Sequence, residues 1–172
     1  MAVCAADERW SKQALAAFEV RLPAQLETDP FNLQRFADAQ APVIDAVRAE
    51  LRVGRKRTHW MWFVFPQIEG LGESAMSKTY AIRSLAEAKA YLAHPVLGER
   101  LRECANVVNR IAGRSIEDIF GRPDCDKFRS CMTLFSFAAP NDDVFAAALQ
   151  GPCGREPDRL TLARLLAEPR ST

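Results

Sequence analysis

The chain has 172 residues, of which 48% are hydrophobic and 26% charged, and its 23 cationic and 22 acidic side chains leave a net charge of +1. This composition is typical of one folded domain with its own core, and it excludes an intrinsically disordered chain, a collagen-like repeat and a disulfide-dependent mini-protein. The near-neutral charge supplies no overall field that would recruit nucleic acid or an anionic membrane, and the longest apolar run, residues 60–65, is far too short to span a bilayer.

Helical spacing dominates the first third of the chain. Apolar residues three or four positions apart predict a helix over residues 7–21. The Thr-Asp-Pro sequence at 28–30 is a helix start signal, and the apolar pattern that follows it breaks at Pro42. A further helix is predicted to end at Gly54, because glycine readily ends a helix in the left-handed conformation.

Residues 55–73 have no clear periodicity. Three cations are followed by a threonine, a histidine, the aromatic run at 60–65 and a loop with two glycines. A run this short fits either a buried strand or a buried helical turn, and periodicity does not separate the two.

The rest of the chain again predicts helices. Ser74 can cap a helix that reaches about Ile82, and residues 84–87 fit a capping box that opens a helix ending near His94. Further helices are predicted to begin at Pro95, Ser115 and Asp124 and to cover residues 142–150 and 158–167. About eight helices, with at most one or two short strands, predict an all-α or predominantly α fold in a single compact domain.

The cysteine pattern predicts a cytoplasmic protein with reduced thiols. The odd number of cysteines has no regular spacing, and the N-terminus lacks the features of a signal peptide. With only two histidines, a structural zinc site would need ligands from scattered positions, so no metal and no cofactor is predicted. The cysteines are Cys4, Cys104, Cys125, Cys131 and Cys153.

The glycine loop offers a possible anion site. Residues 70–75, Gly-Leu-Gly-Glu-Ser-Ala, match the dinucleotide fingerprint, but four residues separate them from the apolar run and no βαβ alternation follows. A weaker interpretation is that Gly72 and Ser74 expose backbone N–H groups at a helix start, where they would suit an anion. A plain turn with a helix cap explains the same residues.

A basic and aromatic segment lies just before this loop. Lys56 and Arg57 stand close to Trp60 and Trp62, and such combinations contact phosphate and stack on bases in nucleotide sites. The alternative is that the tryptophans belong to the core and the cations to a solvated loop.

Three residues are candidates for catalysis. His59 could act as a general base near neutral pH, since it is flanked by cations and aromatic rings. Lys127 and Ser130 stand three residues apart on a predicted helix and so share a face. A polar surface stripe on an amphipathic helix explains this pair equally well, and Cys131 lies on the apolar stripe, where packing is expected.

Four stretches of the chain resemble the bacterial domain-of-unknown-function 1810 family, which genome annotation sometimes labels "calpastatin". They are residues 29–36, 56–67, 80–82 and 127–135. The resemblance covers about residues 29–165 and implies a compact, mostly helical cytosolic domain without an established activity. It places the family domain at residues 29–168 and makes residues 1–28 an N-terminal extension, for which a helix is predicted. The polar and aromatic motif residues hint at a shared pocket.

The functional hypothesis is a pocket for a small anionic, nucleotide-like ligand, with hydrolytic or transfer chemistry if the protein is an enzyme. A tryptophan would stack on the ligand, the cations would meet its phosphate, and His59 would be the base. The predicted catalytic residues are His59, Lys127 and Ser130, and the predicted ligand-binding residues are Lys56, Arg57, Trp60, Trp62, Gln67, Gly72, Ser74 and Tyr80.

Two alternatives belong to other classes of protein. In the first, the aromatic run is partly exposed and forms a protein-interaction patch. In the second, a basic surface binds RNA, although the neutral overall charge makes nucleic acid an unexpected partner. The basic surface would comprise Arg48, Arg52, Arg55, Lys56 and Arg57.

Overall fold

The computed structural model describes residues 29–167, and its regular structure is helical. The described helices are α1 (Gln34–Gln40), α2 (Ile44–Val53), α3 (Met61–Val64), α4 (Ala75–Thr79), α5 (Leu85–Ala93), α6 (Leu97–Asn109), α7 (Ile116–Phe120), α8 (Asp124–Ala138), α9 (Asp143–Gln150) and α10 (Arg159–Ala167). Within this range the β contacts reduce to one parallel bridge between Ile68 and Ile82. The predominantly α fold is confirmed, while the helix predicted over residues 7–21 lies outside the described residues.

Helix α8 is the centre of the core. Nine of its fifteen residues are buried, and it packs against α3, α5, α7, α9 and α10. Phe128 near its start meets the rings of Phe65 and Phe120 at centroid distances of 4.9 and 4.8 Å. Phe135 near its end meets Tyr91 at 5.4 Å and so joins α5 to the same core. The other helices are therefore layered around a helix that is apolar on most sides.

The aromatic run at 60–65 forms a helical turn and not a strand. Met61, Phe63, Val64 and Phe65 are at most 7% exposed, and Trp60 just before α3 is 1% exposed. Trp62 alone in the run is half-buried. An all-apolar turn of this kind is stable only inside a core, because a single isolated turn does not hold together in water.

Several helix boundaries follow the sequence signals and others do not. Gly54 ends α2 in the left-handed conformation, with φ of 69°. Helix α4 ends at Thr79, earlier than predicted, because residue 82 instead exchanges backbone hydrogen bonds with Gln67 and Glu69 at 2.9 and 2.8 Å. Asp124 is the first residue of α8 and not its cap, since Pro123 occupies the capping position.

The guanidinium of Arg35 ties three separate segments together. It donates to the carbonyls of Thr79 and Ala81 at 3.0 Å each, and to those of Phe31 and Asn32 before α1. It also pairs with the Glu87 carboxylate at 2.7 Å, and that side chain is 2% exposed. Glu87 was expected to complete a capping box with Ser84. Its second oxygen instead accepts from the backbone N–H of Arg83.

No helix among the described residues is both long and apolar enough to cross a membrane.

Replacing Arg35 by alanine should lower the free energy of unfolding by about 3–5 kcal/mol, because the buried Glu87 carboxylate would lose its cation. Urea denaturation at pH 7 measures the effect. Arg83→Gln is the matched control, since the Arg83 side chain is exposed, and it should change stability by less than about 0.5 kcal/mol. A loss below about 1 kcal/mol for Arg35→Ala would contradict the role assigned to this ion pair.

Candidate functional site

The loop that carries the basic and aromatic segment is wrapped around one carboxylate, that of Glu50 on α2. Glu50 accepts hydrogen bonds from the backbone N–H groups of Arg57 and Thr58 at 2.8 and 3.2 Å, and from the Thr58 hydroxyl at 2.7 Å. It also accepts from the Trp60 indole at 2.9 Å. Burial by itself would raise the pKa of Glu50, but the hydrogen bonds from Arg57, Thr58 and Trp60 outweigh it and hold that pKa below its ordinary value.

Beyond this loop, two lysines share a single aspartate. The Lys56 and Lys127 ammonium groups lie 2.7 and 2.8 Å from the two oxygens of Asp124, and the three side chains are 8%, 18% and 17% exposed. Burial acts to raise the pKa of Asp124, but the bonds to Lys127 and Lys56 outweigh it, so that the carboxyl pKa lies below its usual range. We call Lys56, Asp124 and Lys127 the lysine–aspartate triad; it holds two positive charges against one negative charge.

Each lysine of the triad also faces an indole ring. The Lys56 ammonium lies 5.3 Å from the Trp60 ring centroid, and the Lys127 ammonium lies 4.9 Å from that of Trp62. These distances are within the range of cation–π attraction. The Nε1 of Trp62 is buried and has no hydrogen-bond partner among the described residues. An N–H donor without an acceptor therefore lies on the ring that Lys127 covers.

A cleft of about 180 Å³ opens beside Lys127. It lies between the loop after α3, the start of α8 and the start of α10. Its lining residues are Gln67, Leu71, Gly72, Pro123, Asp126, Lys127, Asp158 and Leu160. Three predicted site residues, Gln67, Gly72 and Lys127, thus share one cleft. A side chain at position 72 would meet the Ser77 hydroxyl at 2.5 Å, so the close approach of the loop to α4 requires glycine there.

The other predicted binding residues lie elsewhere. Trp60 is in the core with its indole bonded to Glu50, and Arg57 is exposed with its backbone N–H on the same carboxylate. Ser74 caps α4 by accepting from the N–H of Ser77 at 3.1 Å. Tyr80 packs against the rings of Phe36 and Phe63.

The three predicted catalytic residues are not joined to one another by any hydrogen bond or ion pair within residues 29–167. His59 is exposed, and Lys127 is paired with Asp124. Ser130 is buried, and its hydroxyl is hydrogen-bonded to that of Thr161 at 2.7 Å, which helps to hold α10 on α8. These contacts favour a structural role for Ser130.

The buried thiols are unsuited to nucleophilic attack. Burial raises the pKa of Cys104 to about 12, and that of Cys131 well above its ordinary value, so both remain protonated at neutral pH. Within residues 29–167, no three His, Cys, Asp or Glu side chains come close enough together to hold a metal ion.

Sequence reasoning missed Asp124, Asp126 and Asp158 as parts of the site. The three-residue spacing of Asp124 and Lys127 was a usable signal, because such pairs meet on one face of a helix. The contact between Lys56 and Asp124 had no such signal, since it joins residues far apart in the chain.

A family model described as "Protein of unknown function (DUF1810)" matches residues 30–165. Among solved structures, the chain is similar to the conserved hypothetical protein Rv1873 from Mycobacterium tuberculosis, at 54% identity and a TM-score of 0.80. The match covers 81% of this chain and 100% of the other. No curated protein matches the chain.

Replacing Asp124 by asparagine should lower the free energy of unfolding at pH 7 by about 3 kcal/mol, because two poorly solvated ammonium groups would lose their shared counter-charge. The folded-state pKa of Asp124 is lowered, so its stabilisation is present above its unfolded pKa of about 3.9. That stabilisation is lost as the pH falls through the lower folded-state pKa. The difference in the free energy of unfolding between the wild type and Asp124→Asn should therefore disappear in acid.

Chemical denaturation between pH 3 and pH 8 measures this gap. Asp143→Asn is the matched control, because Asp143 is the first residue of α9 as Asp124 is of α8, but is exposed. A gap for Asp124→Asn that stays constant across this pH range would exclude the ionised carboxylate as its cause.

Proposed function

The chain belongs to the DUF1810 family of proteins of unknown function, and we propose that its family domain binds a small anionic ligand in the cleft beside Lys127. The observation that carries the proposal is the unbalanced charge of the lysine–aspartate triad. Two ammonium groups share one carboxylate, and Lys127 lines the cleft. A positive charge that is largely shielded from water and only half neutralised favours an anion nearby.

Lys127 has bonding capacity left for a ligand. An ammonium group has three N–H donors, and among the described residues Lys127 bonds only to Asp124. The Trp62 ring beneath it holds the ammonium group by cation–π attraction without using its N–H donors. Charge-assisted hydrogen bonds from an ammonium group are about twice as strong as neutral ones.

The volume of the cleft limits the size of the ligand. About 180 Å³ is below the roughly 300–1,000 Å³ of pockets that enclose drug-sized molecules. A nucleotide would place only its phosphate end in the cleft. Stacking on Trp60 is excluded, because Trp60 is buried and its indole is already bonded to Glu50, and Trp62 is not among the residues that line the cleft.

The proposal is binding and not catalysis. His59, the expected general base, is exposed and has no hydrogen bond to another described residue. Ser130, another predicted catalytic residue, is hydrogen-bonded to Thr161 of α10. Neither arrangement matches the nucleophile–base contact that hydrolytic or transfer chemistry uses.

The two alternatives lack a comparable observation. Most of the aromatic run is in the core, so it does not offer an exposed interaction patch. The basic segment is divided, since Arg48 pairs with Glu103 at 2.6 Å and Lys56 with Asp124, whereas Arg52, Arg55 and Arg57 are exposed. Only part of that segment is therefore available to a nucleic-acid backbone.

Titration with inorganic phosphate and with adenosine monophosphate should raise the melting temperature and change the tryptophan fluorescence. Lys127→Gln should weaken binding of the better probe by about tenfold or more, because it removes a charged donor. The fold should persist in this variant, since Lys56 still pairs with Asp124.

Lys89→Gln is the matched control, because Lys89 is exposed on α5, and it should bind as the wild type does. Trp62→Phe keeps an aromatic ring under Lys127, and it removes an N–H that is buried and does not line the cleft, so an affinity close to that of the wild type is expected. Equal affinity of the wild type and Lys127→Gln would place the anion elsewhere and refute the proposal.

A further inference from the structure

The cleft beside Lys127 carries charges of both signs. Besides Lys127, its lining includes Asp126 on the same helix and Asp158 just before α10. The Asp126 side chain is 48% exposed, and the closest cation to it, Arg129, lies 3.7 Å away, beyond hydrogen-bond length. Asp126 therefore forms an ion pair with Arg129, but its oxygens accept no hydrogen bond from another described residue and can accept one from a ligand.

Asp158 also has a free oxygen. Its Oδ1 accepts from the backbone N–H and the hydroxyl of Thr161, both at 2.7 Å, and so fixes the start of α10. Its Oδ2 has no hydrogen bond among the described residues. A carboxylate held in place by one oxygen can present the other to a ligand without losing its structural contact.

These charges decide what kind of anion fits. A ligand with only negative charge would gain from Lys127 but would be repelled by two carboxylates on the walls of the same small cleft. A ligand that also carries an amine would turn this repulsion into attraction. Electrostatic complementarity of this kind mainly sets which partner is accepted.

The remaining lining residues are mostly apolar. Leu71, Pro123 and Leu160 form this part of the wall, and Leu160 is 65% exposed. A large apolar side chain exposed at a cleft gains by contact with an apolar group of a ligand.

We propose that the ligand is a small zwitterion. Its acid group meets Lys127, its amine meets Asp126 and Asp158, and its short apolar body lies against Leu71, Pro123 and Leu160. This inference rests on the proposed anion site and adds the second charge. An amino acid and a phosphorylated amine share the chemistry, and they differ in the acid group.

Two sets of compounds test the zwitterion by calorimetric titration of the full chain. L-leucine is compared with 4-methylpentanoate, which lacks the amine, and with 3-methylbutylamine, which lacks the acid. O-phosphoethanolamine is compared in the same way with inorganic phosphate and ethanolamine. At least one zwitterion should bind about tenfold or more tightly than either of its fragments. The set whose zwitterion binds more tightly identifies the acid group of the ligand as a carboxylate or a phosphate.

Asp126→Asn should weaken binding of the zwitterion by about tenfold and so remove most of its higher affinity. The variant should bind the acid-only fragment at least as well as the wild type does. The control is Asp143→Asn, an exposed first-turn aspartate on α9, which should bind as the wild type does. Asp158 is left unchanged because it holds α10.

The outcomes separate this inference from the proposed function. If the acid-only fragments bind as tightly as the zwitterions, the amine site is refuted and the anion site stands. If no compound binds, or if the amine-only fragments bind as tightly as the zwitterions, both proposals are refuted. If a zwitterion binds tightly and Asp126→Asn leaves that affinity unchanged, the assignment of the amine to the two aspartates is refuted.

Discussion

A carboxylate shielded from water must find donors, and each of three carboxylates in this domain finds at least one of them on a segment that is not helical. Glu87 holds Arg35 and the N–H of Arg83, Glu50 holds the loop before α3, and Asp124 holds two lysines. An unpaired buried carboxylate costs several kcal/mol. These carboxylates therefore fix irregular segments that helix packing alone does not hold.

This constraint explains why the basic and aromatic segment combines such different residues. Trp60 fills the core with its ring and bonds Glu50 with its N–H, so one residue serves both requirements. Lys56 extends from the same loop to α8, where its ammonium meets Asp124. The loop is thus held at Glu50 and at Asp124. Trp62 follows this loop directly, on α3. The polar motif residues that resemble a binding set are in part the ones that hold the loop.

Much of the fold could be predicted from the sequence, because helix signals are local. The stop at Gly54 and the caps at Ser74, Ser84 and Ser115 depend on residues a few positions apart, and all four are observed. The early end of α4 could not be predicted, since it depends on a bridge between residues 68 and 82.

The candidate site shows the same division. Residue type and a family resemblance were enough to propose Lys56, Lys127, Trp62, Gln67 and Gly72. The aspartates that pair with these residues or share their cleft could not be proposed in this way. Asp124 signalled a helix start, yet it serves as the counter-charge of a lysine from a distant loop. Asp158 signalled only the start of a helical stretch, and its place in the cleft depends on how α10 packs on α8. An ion pair between residues far apart in the chain leaves no periodic pattern in the sequence, so it cannot be predicted from spacing.

The two ion-pair systems differ in a way that bears on function. Among the described residues Arg35 and Glu87 pair only with each other, so neither can be released without leaving the other without its counter-charge. In the lysine–aspartate triad, Asp124 has two cations, and Lys56 is the more deeply buried of them. In the proposed function Lys127 turns toward the ligand while Asp124 keeps Lys56 as its partner, so the cost of leaving a buried carboxylate unpaired is avoided. This proposal assigns the binding role to the less buried of the two lysines that share Asp124, and the cleft lies beside that lysine.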